Sequence, residues 1–80
     1  MWKEEHNTLT RTFNFKNFIK AFSFMTEVAI EAEKLNHHPN WSNVYNSVII
    51  TLSTHDAGNI ITNKDRELAQ AIDRLLEDAE

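Results

Sequence analysis

The chain has 80 residues, no cysteine, one glycine, one proline and a formal net charge of −4. A single domain of this size buries a modest share of its surface and needs a staple; without disulfides or thiolate metal sites, self-association is the expected one. There is no cluster of cations to make a nucleic-acid surface, no apolar run long enough to span a bilayer and no secretory leader pattern, so no nucleic-acid partner, no membrane and a cytoplasmic location are expected.

Residues 2–15 alternate. Leu9, Arg11, Phe13 and Phe15 fall on one parity and Thr10, Thr12 and Asn14 on the other, as in a half-buried strand. A short strand over residues 2–5 can pair with it through a turn at Asn7-Thr8. Residues 18–36 read as a helix with Asn17 as N-cap, because Phe18, Phe22, Met25, Ala29 and Ala32 recur at helical spacing. The apolar arc of that helix is wide and also takes in Ile19, Phe24, Val28 and Ile30, so the helix is expected to pack on more than its own sheet. Glu33 sits inside this arc. Phe13, Phe15, Phe18, Phe22 and Phe24 are all expected in the core.

Residues 41–54 read as strand again, with Val48, Ile50 and Leu52 alternating against Ile49, Thr51 and Ser53 and a turn at Asn46-Ser47. Residues 62–79 form a second helix. Thr62 and Asp65 make a variant capping box, and Leu68, Ala71, Ile72, Leu75, Leu76 and Ala79 make its apolar face. The expected class is α+β: a four-stranded antiparallel sheet with two helices packed on one face.

Three histidines lie at element ends, where loops on rigid supports carry functional groups. His37 and His38 follow the first helix, which Pro39 is expected to stop. His55 ends the last strand beside Asp56. Imidazole both gives and takes protons near neutral pH. Three imidazoles and a carboxylate could also hold zinc, but adjacent histidines project in different directions and the spacing fits no zinc signature, so no metal is expected. There is no nucleophile elbow and no glycine-rich phosphate loop. Trp41, after His-His-Pro-Asn, is either core or the wall of a pocket for a flat heterocycle.

The run Glu31-Ala-Glu-Lys-Leu-Asn-His-His-Pro-Asn-Trp41, then Val44-Tyr-Asn46, then Thr51-Leu-Ser-Thr-His-Asp56 resembles the pterin-4a-carbinolamine dehydratase family. Phe15-Lys-Asn-Phe18, Phe24-Met-Thr26 and the stretch from Asp65 to Asp73 extend the resemblance over nearly the whole chain. It implies a hydro-lyase that dehydrates 4a-hydroxytetrahydrobiopterin to the quinonoid dihydropterin in tetrahydrobiopterin recycling, without a cofactor, as a homodimer or homotetramer. It assigns catalysis to His37, His38 and His55, with His37 and His55 moving protons and His38 orienting the pterin. Glu33, Pro39, Trp41, Thr54, Asp56 and Ala57 would bind substrate, with Glu33 tuning the His37 region, and Asp65 is a further candidate that helix capping alone also explains. Two departures from the family stand out. The helix that precedes the first tryptophan in the family has no counterpart here, and the segment from His55 to Asp65 is one residue longer and lacks a second glycine. Animal members also serve as dimerisation cofactors of a transcription factor, and other relatives help mature or protect another enzyme; nothing in this sequence points to either role.

Overall fold

A computed structural model describes residues 1–78. Four strands, β1 (Lys3–Glu5), β2 (Thr8–Asn14), β3 (Asn40–Val44) and β4 (Ser47–Leu52), form one antiparallel sheet in the order β1-β2-β4-β3. Helix α1 (Phe18–Leu35) joins the two hairpins, and α2 (Asn63–Asp78) follows β4 after a 3-10 turn at His55–Ala57. Ala79, expected on the apolar face of the second helix, lies outside the described residues. The α+β class and the helix count agree with the sequence pattern.

Both hairpin turns fall one residue earlier than the pattern suggests. The first is centred on His6 and Asn7, at φ 51° and 61°, and the second on Tyr45 and Asn46, with Tyr45 at φ 51°. Positive φ at both central residues of the first turn, and at the first central residue of the second, matches the twist of a two-residue hairpin. At the second turn the Asn43 side chain donates to the carbonyls of Tyr45 and Ser47, at 3.2 and 2.9 Å.

Register sets the core. Leu9 faces Leu52, Arg11 faces Ile50 and Phe13 faces Val48 across the β2–β4 pair, while Trp41 faces Ile50 on β3. These inward positions meet Ala21, Phe24, Val28 and Ala32 of α1 and Leu68, Ala69 and Ile72 of α2. The half-buried Arg11 stays charged within this set. Its guanidinium lies 4.7 Å from the centre of the Phe13 ring and donates to Asp73 Oδ1 at 2.8 Å, and the Trp2 indole donates to the same oxygen at 2.9 Å. That shared carboxylate ties α2 to the first hairpin.

The apolar arc of α1 divides in two. Its buried half is Ala21, Phe24, Val28 and Ala32; Phe18, Phe22 and Ala29, expected inside, are exposed together with Ile19 and Ile30. A helix on a four-stranded sheet covers only about 100° of its circumference with one contact, so an arc this wide cannot all face one layer. Asn17 caps α1 as expected, its Oδ1 accepting from the Lys20 amide at 2.9 Å. No helix among the described residues is long and apolar enough to cross a membrane.

Neighbouring isoleucines test this register. Ile50 is fully buried and Ile49 is 44% exposed on the open face of the sheet. Ile50→Ala is expected to cost about 2–5 kcal/mol in denaturant unfolding, and Ile49→Ala under about 1 kcal/mol. Equal losses would contradict the assignment of faces.

Candidate active site

The first pair of histidines is arranged by the way α1 ends. Asn36 takes the left-handed conformation, φ 51° and ψ 43°, its amide donating to the Glu33 carbonyl at 3.1 Å and the His37 amide to the Ala32 carbonyl at 3.0 Å. This is a Schellman closure, and asparagine is among the few side chains that tolerate it. The helix is therefore stopped at Leu35 by Asn36, not by Pro39. The reversal turns His37 inward, 9% exposed, and leaves His38 exposed on the outside.

The expected tie between Glu33 and His37 is consequently absent. Glu33 Oε1 instead meets His38 Nε2 at 2.8 Å, in an exposed pair. The partner of His37 is Asp65, whose Oδ1 lies 2.5 Å from His37 Nε2. Asp65 is fully buried. A carboxylate so placed is tolerable only when its oxygens are occupied by donors, and here they are. Oδ2 accepts from the Thr54 hydroxyl and from the Thr62 amide, both at 2.8 Å. The single hydroxyl proton of Thr54 is thereby used, so in the 2.6 Å contact between Thr54 Oγ1 and Thr62 Oγ1 the donor is Thr62. Thr62 Oγ1 in turn accepts from the Lys64 amide at 3.3 Å.

Thr62 precedes the first turn of α2 and Asp65 is its third helical residue, so the variant capping box is present and the positive end of the helix dipole supports the carboxylate. Asp65 serves two partners: Oδ2 caps the helix and Oδ1 holds His37. With the carboxylate oxygen as acceptor, Nε2 is the nitrogen that donates, and Nδ1 is left as the ring atom for proton exchange.

His55 opens the 3-10 turn after β4. The loop from Thr54 to Ile60 is closed by four backbone hydrogen bonds, among them Thr54 N–H to Ile60 O at 2.8 Å and Asn59 N–H to Thr54 O at 3.0 Å. Gly58, at φ 90°, and Asn59, at φ 61°, let it turn so tightly. Beyond this loop, Asp65 reaches the site.

His37, His38 and His55 come together as lining of one open cleft of about 240 Å³, with Asn36, Ser53, Thr54, Asp56 and Lys64. An adjoining depression of about 400 Å³ adds Ala57, Thr62 and Asn63. Of the other expected residues, Trp41 packs against the hydrophobic core and Pro39 is half-buried; neither lines the cleft, and Glu33 reaches it only through His38. A larger cavity, of about 610 Å³, lies elsewhere between Phe15, Lys20, Phe24 and Leu76 and contains no imidazole. Asn36, Ser53 and Lys64 line the cleft without having been expected there from the sequence. The adjacency of Lys64 to Asp65 and of Asn36 to His37 was the available signal.

Fold and site define an α+β layer whose cleft gathers three imidazoles, one of them backed by a buried carboxylate. The family model for pterin 4 alpha carbinolamine dehydratase matches residues 1–75. Two proteins of Prochlorococcus marinus, provisionally named pterin-4-alpha-carbinolamine dehydratases, are similar. The one from strain MIT 9515 is 57% identical over 76 residues, 95% of this chain and 78% of that protein. The one from strain NATL2A is 52% identical over 75 residues, 94% and 78% respectively. Two solved structures resemble this one. A transcriptional coactivator/pterin dehydratase from Brucella melitensis has a TM-score of 0.86 at 43% identity, over 91% of this chain and 79% of the other. A pterin dehydratase-like protein identified as a RuBisCO assembly factor in the alpha-carboxysome has a TM-score of 0.77 at 26% identity, over 92% and 87%. The chain belongs to the pterin 4 alpha carbinolamine dehydratase family.

The two carboxylate–imidazole pairs differ in burial, and their removal should differ accordingly. Asp65→Ala strands His37, Thr54 and the Thr62 amide and is expected to cost roughly 3 kcal/mol or more in thermal or denaturant unfolding. Glu33→Ala, at the exposed pair, should cost no more than about 1 kcal/mol.

Proposed function

We propose that this protein is a hydro-lyase that converts a 4a-hydroxytetrahydropterin to the quinonoid dihydropterin, with His37 and His55 as the proton-transfer groups. The observation that carries the reading is the convergence of three imidazoles from two distant segments on one cleft, in a chain of this family. The reaction breaks the bond between C4a and its hydroxyl. Hydroxide is a poor leaving group, so a general acid protonates it as it departs as water. A base takes the proton from N5, whose electron pair forms the new double bond to C4a. Acid and base together account for every atom, and no electrons are exchanged with a further reactant.

The roles follow from the surroundings of each ring. His37 is held by Asp65, which fixes the orientation of the ring, as a carboxylate does behind a catalytic imidazole. His55 stands on a stapled loop that lines the same cleft, exposed to an incoming substrate. His38, paired with Glu33, would orient the pterin, and Lys64 lines the same cleft as a cation that an electron-rich edge of the ring could meet. Thr54, Asp56 and Ala57 complete the floor and rim. Tetrahydrobiopterin recycling is the setting in which such a reaction is needed.

The direct test supplies freshly generated carbinolamine from a coupled hydroxylase and follows quinonoid dihydropterin. Wild-type protein should accelerate its formation. His37→Ala and His55→Ala should each lower kcat by about 10²–10⁴ with a smaller change in KM. A folded wild-type protein without acceleration would sink the reading, and a change confined to KM in both variants would contradict the acid–base assignment.

We also propose that the outward half of α1 is a contact with a second copy of the chain, giving a homodimer or homotetramer. Phe18, Ile19, Phe22 and Ile30 are 45%, 73%, 55% and 53% exposed on the side of the helix away from the core, and exposed apolar residues gathered in this way mark interfaces. A fold this small gains the staple that its composition otherwise denies it. Sedimentation should give at least a dimer, and Phe22→Lys should shift it toward monomer. A wild-type monomer at micromolar concentration would overturn the self-contact and leave these residues to a different protein.

A further inference from the structure

The stapled loop after β4 brings a side chain onto His55 for which the mechanism has so far had no use. Asn59 Oδ1 lies 3.1 Å from His55 Nδ1. An amide oxygen only accepts, so this contact requires a proton on Nδ1. A neutral ring with its proton there has a bare lone pair on Nε2, the nitrogen remote from the backbone. In water a neutral histidine favours the opposite arrangement, with the proton on Nε2. We infer that Asn59 is a positioning residue for His55, holding the tautomer in which Nε2 is the proton acceptor and locking the ring toward the cleft. This rests on the reading of His55 as a proton-transfer group.

The backbone supports the assignment. Asn59 sits at φ 61°, a conformation that asparagine tolerates and most side chains do not. Its amide is fixed to the Thr54 carbonyl at 3.0 Å, the same residue that donates to Asp65. The chain that orients His55 is therefore anchored to the carboxylate that orients His37. The titratable groups that share the cleft with His55 are Asp56, Lys64, His37 and His38, and among the described residues none of them hydrogen-bonds to its ring. The two imidazoles are thus addressed at different nitrogens: a carboxylate holds His37 at Nε2 and an amide holds His55 at Nδ1. The nitrogens left without a protein partner are then Nδ1 of His37 and Nε2 of His55 among the described residues.

Asn59→Gly removes the amide while keeping a residue suited to positive φ, and the four backbone hydrogen bonds of the loop do not depend on its side chain. Long-range proton–nitrogen correlation spectra of the full chain report the His55 tautomer directly, without substrate. Wild-type His55 should show the Nδ1-protonated form. Asn59→Gly should shift the ratio toward the Nε2-protonated form by about fivefold, the worth of one modest hydrogen bond, and kcat should fall by a similar factor with KM unchanged. Asn59→Asp, which also accepts from Nδ1–H, should retain the wild-type tautomer. An Nε2-protonated wild-type ring, or an unchanged tautomer or unchanged kcat in Asn59→Gly, overturns the inference. His55→Ala, measured alongside, separates the two failures. Full turnover there defeats the role of His55 and the positioning role with it. Lost turnover there, with wild-type behaviour in Asn59→Gly, defeats only the positioning role.

Discussion

One buried carboxylate organises the functional end of this molecule. Asp65 has no exposed surface, and it accepts from an imidazole, a hydroxyl and a backbone amide that belong to three different stretches of chain. The cost of burying that charge is offset only if all three donors arrive together. The post-α1 segment, the end of β4 and the start of α2 are therefore fastened to one another at the cleft. An apolar residue of similar volume could close the same junction. A carboxylate also dictates which nitrogen of His37 carries a proton.

The left-handed residue at Asn36 is the second constraint, because it decides which histidine meets that carboxylate. Continuing α1 by one more turn would set His37 a helical turn from Glu33, on the solvent side. The Schellman closure instead reverses the chain after Leu35 and exchanges the environments of two adjacent, identical side chains. One imidazole becomes buried on Asp65, and the other stands exposed beside Glu33. Identical residues acquire different surroundings from a single backbone conformation.

Local signals in the sequence carried well where the physics is local. The alternation of Leu9 to Phe13 and of Val48 to Leu52 located the central strands, the Asn17 cap started α1, and Thr62 with Asp65 started α2. The family motifs named the three histidines that line the cleft. What stayed hidden depends on partners distant in the chain. The wide arc of α1 does not say which half meets the sheet, and Phe18 and Phe22 were assigned to the wrong side of that division. Asp65 lies 28 residues from His37, beyond any helical or strand periodicity. The turns at Tyr45 and His6 differ by a residue from the asparagine-based expectation because strand register, set by the buried faces, fixes where each hairpin must close.

The outer half of α1 and the cleft are linked by Glu33. It lies on the same exposed side of the helix as Phe22 and Thr26, and it also meets His38 at the rim of the cleft. A carboxylate among exposed apolar residues weakens any contact made there, since burying it without a partner is costly. His38 supplies that partner from within the same chain. Covering that side of the helix by a second copy would exclude water from the Glu33–His38 pair and strengthen it, because the attraction between them grows as the surroundings become less polar. Association through α1 would therefore also tighten the hold on His38, the imidazole assigned to orient the substrate, so that the staple a small fold needs and the ordering of its cleft would come from the same contact.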